Sequence, residues 1–283
     1  MKLIAQLTLL PTETATLADG SMVQFRRAGN AAAPVSHVLL HGIGSASASW
    51  LAQLQAAQHC AHADVHVLAW DAPGYGGSTP VAPAAPTAAD YAVRLWAWLD
   101  GEPAATRPLT LVGHSLGAMM AAAATCQMPR RVGRLVLLAP ALGYASASAE
   151  QREKKLADRL AKLANLGPAG MAHARAPAML SEPRDADHLA FIEHVMAAID
   201  PAGYTQAARM LAGGNLLADL RQVRCPVTVA SGSADSITPA PACQALAVQI
   251  AAPYITLGAV GHSCALQAAD RVNGLLQLRG DRT

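Results

Sequence analysis

Six short apolar runs constrain this chain more than anything else in it. They are His37–Leu40 (HVLL), Val65–Trp70 (VHVLAW), Leu109–Gly113 (LTLVG), Arg134–Pro140 (RLVLLAP), Pro226–Gly232 (PVTVASG) and Pro253–Gly258 (PYITLG). Each is continuous rather than alternating, which is the pattern of a strand buried on both faces, and such strands belong to a mostly parallel sheet covered by helices. Helical stretches such as Ala88–Leu99 and Leu116–Gln127 stand between most of the runs, giving the strand-helix alternation of an α/β fold. Ahead of them, residues 14–28 (TATLADGSMVQFRRA) alternate apolar and polar about Asp19-Gly20 and predict a hairpin with a tight turn. A chain of 283 residues buries about three-quarters of the surface its unfolded form exposes, so a full-sized core is within reach without disulfides or metals.

The alternation stops once. From about Ala141 to Arg224 there is no strand-like run, only helical patterns broken at Gly167-Pro168, Ala176-Pro177 and Asp200-Pro201. The expected organisation is a core domain of residues 1–140 and 225–283 with a helical cap, residues 141–224, inserted over the sheet as a lid.

Open α/β sheets bind ligands at the carboxyl ends of their strands. In this chain those ends carry HGIG (His41–Gly44), DAPGYGGS (Asp71–Ser78), GHSLG (Gly113–Gly117), SGSAD ending at Asp235, and the GHS that contains His262. A serine between glycines, where a strand meets a helix, suits a sharp strained turn that raises its hydroxyl. Ser115 is therefore the candidate nucleophile. The Leu116 N–H, at the start of the following helix, is a candidate donor to an oxyanion, and the Ile43 N–H of the glycine-flanked HGIG loop is the candidate second donor. A serine hydroxyl also needs a base, and the base needs an orienting carboxylate. His262 and Asp235 fit, since each follows a late strand and the chain order is Ser, Asp, His. Asp219, the nearest rival acid, lies at the end of the helical insertion rather than after a strand.

These motifs together resemble an α/β-hydrolase-fold enzyme with an inserted helical cap, and the likeness runs from the LADGSMVQFRRAG hairpin through HGIGSASASW, DAPGYGGS, GHSLG and SGSADSITP to GAVGHS. The resemblance implies a catalytic triad of Ser115, Asp235 and His262, oxyanion-hole N–H groups on Leu116 and Ile43, structural roles for Asp71 and Trp50, and no cofactor or metal. An elbow aspartate would have pointed to epoxide or haloalkane hydrolysis. A serine with an oxyanion hole points to acyl transfer to water, hence to a carboxylic ester, thioester or lactone. Similar capped enzymes act on small to medium, largely apolar molecules. One branch cleaves carbon-carbon bonds in aromatic-degradation pathways, but it typically carries asparagine before the nucleophile and tryptophan after the base, where this chain has His114 and Ser263. That reading stays as an alternative, as do a perhydrolase or cofactor-free lyase and a non-catalytic receptor on the same fold.

The remaining features point to bland roles. His41 and His114 are expected to orient loops, Cys264 to pack, and Met171, Met179, Met196 and Met210 to line an apolar pocket or pack the inserted helices. HCAHADVH (His59–His66) matches no zinc spacing. With only 14% charged residues, a net charge of +2 and Lys and Arg scattered along the chain apart from the local groups at 130–134 and 152–155, nothing builds a nucleic-acid face. No run is long and apolar enough to span a membrane, no signal peptide is read in the opening residues, and five unpaired-looking cysteines fit a cytoplasmic setting. A small-molecule substrate is the expected partner, and a homodimer stays open.

Overall fold

The computed structural model describes residues 2–102 and 108–278. A short helix α1 (Leu3–Gln6) precedes the hairpin β1 (Thr12–Thr16) and β2 (Met22–Gly29); then come β3 (His37–Leu40), α2 (Leu51–Gln58), β4 (His66–Trp70), α3 (Ala88–Leu99), β5 (Leu109–His114), α4 (Gly117–Gln127) and β6 (Val132–Leu138). Four helices follow, α5 (Ala149–Arg175), α6 (Ala186–Ala197), α7 (Pro201–Gly213) and α8 (Leu216–Leu220), before β7 (Val227–Ser231), α9 (Ala240–Gln249), β8 (Tyr254–Thr256), α10 (Cys264–Gln267) and α11 (Ala269–Leu275).

All eight strands join one sheet in the order β1-β2-β4-β3-β5-β6-β7-β8. The hairpin pairs antiparallel, both within itself and with β4, and every later pairing is parallel. Each of the six apolar runs became a strand. Their continuity has the expected cause: along β3 to β6 successive side chains enter opposite cores, with Val38, Leu40, Leu68, Leu111 and Leu137 in one and Leu39, Val67, Val112, Val136 and Leu138 in the other. Removing such a buried leucine side chain typically costs about 2–5 kcal/mol. At the edge, β8 departs from this pattern, because Ile255 and Thr256 are exposed. The hairpin turn forms at Asp19-Gly20, where Gly20 takes φ +79° and the Asp19 carboxylate accepts the Ser21 N–H at 2.9 Å.

Between β6 and β7 only helices occur. The long α5 bends at Gly167 (φ 63°, ψ 176°) and resumes with Pro168, which accounts for the Gly-Pro break in the sequence. The Asp200 side chain caps α7 by accepting the Gly203 N–H at 2.8 Å, with Pro201 at the first helical position. Among the described residues no helix is long and apolar enough to cross a membrane.

Candidate active site

Ser115 stands between the end of β5 and the start of α4 in the left-handed region, φ 51°. A non-glycine residue held there is strained by roughly 1–3 kcal/mol. The neighbouring backbone imposes the conformation: the Ser115 N–H donates to the Leu138 carbonyl at 2.9 Å, and the Ser115 carbonyl accepts from the Ala118 and Ala141 N–H groups, both at 3.1 Å. The flanking glycines are required by contact. A Cβ at Gly113 would lie 2.5 Å from Ala118 Cα, and one at Gly117 2.2 Å from the Leu40 carbonyl oxygen.

His262 Nδ1 lies 2.8 Å from Asp235 Oδ2, and both side chains are buried. The carboxylate is held from several sides, Oδ1 accepting the Ile237 and Thr238 N–H groups at 2.8 and 3.0 Å and Oδ2 facing the Thr238 hydroxyl at 2.8 Å. Burial works to raise the Asp235 pKa, yet the hydrogen bond and charge of His262, with the Thr238 groups, outweigh it and keep the carboxyl below its ordinary value. Asp219, by contrast, sits on α8, where burial pushes its carboxyl up.

Ser115 and His262 line the same cavity of about 250 Å³. The ring of His262 makes its hydrogen bonds through Nδ1, to Asp235 and at 3.2 Å to Thr238 Oγ1, and among the described residues no hydrogen bond joins it to the Ser115 hydroxyl. Such contacts are commonly loose until substrate binds. Ile43 lines the cavity too, and neither its N–H nor that of buried Leu116 has a partner among the described residues. Close approach of the two loops depends on Gly42, where a Cβ would come 2.9 Å from Ser115 Cβ.

The neighbouring histidines tether backbone. His114 Nε2 donates to the His262 carbonyl at 2.9 Å; His41 Nδ1 donates to the Gly42 carbonyl at 2.8 Å while its Nε2 accepts the Ala72 N–H at 3.0 Å. Burial, helped by the charge of His262, pushes His114 down to about 3, so it stays neutral beside the pair. The Asp71 carboxylate accepts the Ser47 N–H at 2.6 Å, and Trp50 is buried edge-on to His114. Of the four methionines, Met179 lines the cavity and Met196 a smaller apolar recess of about 40 Å³ beside it, together with Phe191 and Val195; Met210 is packed in the core and Met171 edges an outer depression. Among the described residues no group of three or more His, Cys, Asp or Glu side chains is placed to hold a metal ion. Cys264 is fully buried, and burial pushes its thiol up to about 12.

Sequence reasoning passed over four residues. Thr238 bridges Asp235 and His262; its only sequence signal is a hydroxyl residue three positions after a carboxylate. The Tyr75 hydroxyl accepts the Gly44 N–H at 3.3 Å and steadies the HGIG loop. Arg159 and Arg175, both on α5, line the cavity.

A family model described as "Alpha/beta hydrolase family" matches residues 38–275. No curated protein matches the chain. Among solved structures, a hydrolase from Pseudomonas aeruginosa is similar at 24% identity and a TM-score of 0.79, the match covering 94% of this chain and 97% of that one. A thermophilic esterase from Thermogutta terrifontis is similar at 22% identity and TM-score 0.78, over 94% and 97% of the two chains. An enol-lactonase from Burkholderia xenovorans is similar at 21% identity and TM-score 0.78, over 94% and 99%. At these identities the structural likeness is one of fold.

Proposed function

The chain belongs to the alpha/beta hydrolase family, and on that premise we propose that it is a serine hydrolase cleaving a carboxylic ester or lactone of a small to medium, largely apolar molecule. In this reading the Ser115 hydroxyl attacks the scissile carbonyl as His262 Nε2 takes its proton, and Asp235 fixes the imidazole and stabilises its charged form. The oxyanion of the tetrahedral intermediate accepts from the Ile43 and Leu116 N–H groups. Collapse breaks the acyl-oxygen bond, and the leaving alkoxide takes the proton from His262. Water, deprotonated by His262, then attacks the acyl-Ser115 ester, and Ser115 leaves with that proton.

The observation that carries this reading is the buried His262–Asp235 pair, 2.8 Å apart, whose imidazole lines one cavity with a serine at φ 51°. The esterase and enol-lactonase among the structural neighbours support the ester and lactone classes. Residues 141–224 act as the lid over a core of residues 1–140 and 225–283, a reading supported by Tyr144, Met179 and Leu211 lining the cavity. The five cysteines are free, which suits a reducing, cytoplasmic setting. Turnover of p-nitrophenyl butyrate tests the proposal: Ser115→Ala lowers kcat by roughly 10⁴–10⁶-fold, and a variant retaining wild-type turnover overturns it.

A further inference from the structure

Two of the side chains around the cavity are guanidiniums, and no carboxylate answers them. Arg159 Nη1 donates to the Tyr204 hydroxyl at 3.0 Å and also lies beside the Tyr144 hydroxyl. Among the described residues the Arg175 side chain makes no hydrogen bond or ion pair, and no Asp or Glu lines the cavity. Both arginines are partly buried, and positive charge partly withdrawn from water without a counter-charge is costly, so arginines in such places are normally paired. Here the two cations stand close enough to act on one another: burial first, and then the charge of Arg159, hold the Arg175 pKa below that of an ordinary guanidinium.

The surroundings extend the same sign outward. Arg159, Arg175 and Tyr144 also line an outer depression of about 220 Å³, which adds Lys155 and Lys162. Lys155 sits over the Tyr144 ring at 4.2 Å. The one acid there, Asp158, lies 3.5 Å from Lys154 on the exposed face of α5. The adjoining recess of about 40 Å³, which shares Ser45, His114 and Met179 with the cavity, is lined by Phe191, Ile192, Val195 and Met196 and is mainly apolar. Ser115 thus lines a cavity whose α5 wall carries positive charge that no lining carboxylate balances, and an apolar recess adjoins it.

We propose that the substrate carries a carboxylate, bound by Arg159 and Arg175, so that the enzyme hydrolyses anionic esters or lactones such as the hemiesters of dicarboxylic acids or esters of carboxyphenols. A planar carboxylate matches the donor fork of a guanidinium, and the basic rim raises its local concentration at the mouth of the cavity. The inference deepens the hydrolase proposal and rests on it for the identity of the scissile bond, while the anion site stands on the arginines alone.

The test compares charge-matched pairs: mono-p-nitrophenyl glutarate and adipate against p-nitrophenyl valerate, and 4-carboxyphenyl acetate against phenyl acetate. In the wild type, kcat/KM for the anionic member of at least one pair exceeds that of the neutral member by about tenfold or more, which corresponds to roughly 1.4 kcal/mol, and added salt narrows the gap. The ratio falls to about one in Arg175→Gln and Arg159→Gln, and Arg175→Lys keeps part of it. A wild-type ratio of one in every pair, or a ratio that survives both glutamine variants, overturns the inference. A binding arm separates this failure from that of the hydrolase reading: calorimetry of Ser115→Ala with monomethyl adipate and dimethyl adipate. Tighter binding of the monoanion, lost in the added Arg175→Gln change, upholds the anion site even if no ester is turned over, and equal binding of the two refutes it.

Discussion

The backbone conformation of Ser115 is the most informative single feature of the chain, because an L-residue at φ 51° persists only where its surroundings enforce it. The sequence revealed this position through the glycines at 113 and 117, whose missing side chains leave room for Ala118 and Leu40. His262 and Asp235 were proposed from their order and their places after strands, and their side chains lie 2.8 Å apart. Thr238 and the two cavity arginines were not legible. A threonine in a loop carries no periodic signal, and arginines on a charged helix read as solvated until the fold turns them inward. The Thr238 hydroxyl has one proton to donate, toward Asp235 Oδ2 or the Ala139 carbonyl, while its oxygen accepts from His262 Nδ1–H, so it positions the pair rather than transferring a proton. Thr238→Val is expected to lower kcat by about tenfold, the worth of one hydrogen bond to a charged group, with KM little changed. Thr238→Ser should restore most of it, and steady-state kinetics in which the valine variant matches wild type would count against this role.

At the scale of elements, the strands were readable because two-sided burial leaves an unbroken apolar run, and β8 was readable in position though not in burial. The placement of the inserted helices was not, since it depends on contacts between residues far apart in sequence. Two of the contacts between the helices that follow β6 and the rest of the chain illustrate this. The Ser263 N–H, next to His262 in the chain, donates to the Met179 carbonyl at 2.8 Å. Helix α7 meets the loop after β4 backbone to backbone, and a Cβ at Gly203 would sit 1.8 Å from the Gly74 carbonyl oxygen. Gly203→Ala should therefore push α7 off that loop and cost about 1–3 kcal/mol. Gly213→Ala on the same helix, whose added Cβ meets nothing within 4 Å, should be neutral or stabilising by up to about 1 kcal/mol. Thermal unfolding followed by circular dichroism reads both, and equal melting temperatures for the two variants would contradict the docking account.

At the scale of the whole molecule, the site exists only because the sheet orders β3, β5, β6, β7 and β8 side by side, so that the segments after β3, β5, β7 and β8, carrying Ile43, Ser115, Thr238 and His262, converge on one cavity. The α/β class followed from the pattern of runs, as did the strand-free helical stretch between β6 and β7. The strand order and the charge of the cavity wall did not, because both arise from pairings that no local stretch encodes. The central claim is that this assembly activates one hydroxyl among the many in the chain. Labelling by a fluorophosphonate, with the adduct located by peptide mass mapping, tests it most directly, since phosphonylation demands an activated nucleophile and an oxyanion site but no knowledge of the natural substrate. The account predicts a single adduct on Ser115 in the wild type, none in Ser115→Ala, and labelling slowed by orders of magnitude in His262→Ala. An unlabelled wild-type protein, or an adduct on another residue that persists in Ser115→Ala, would contradict it.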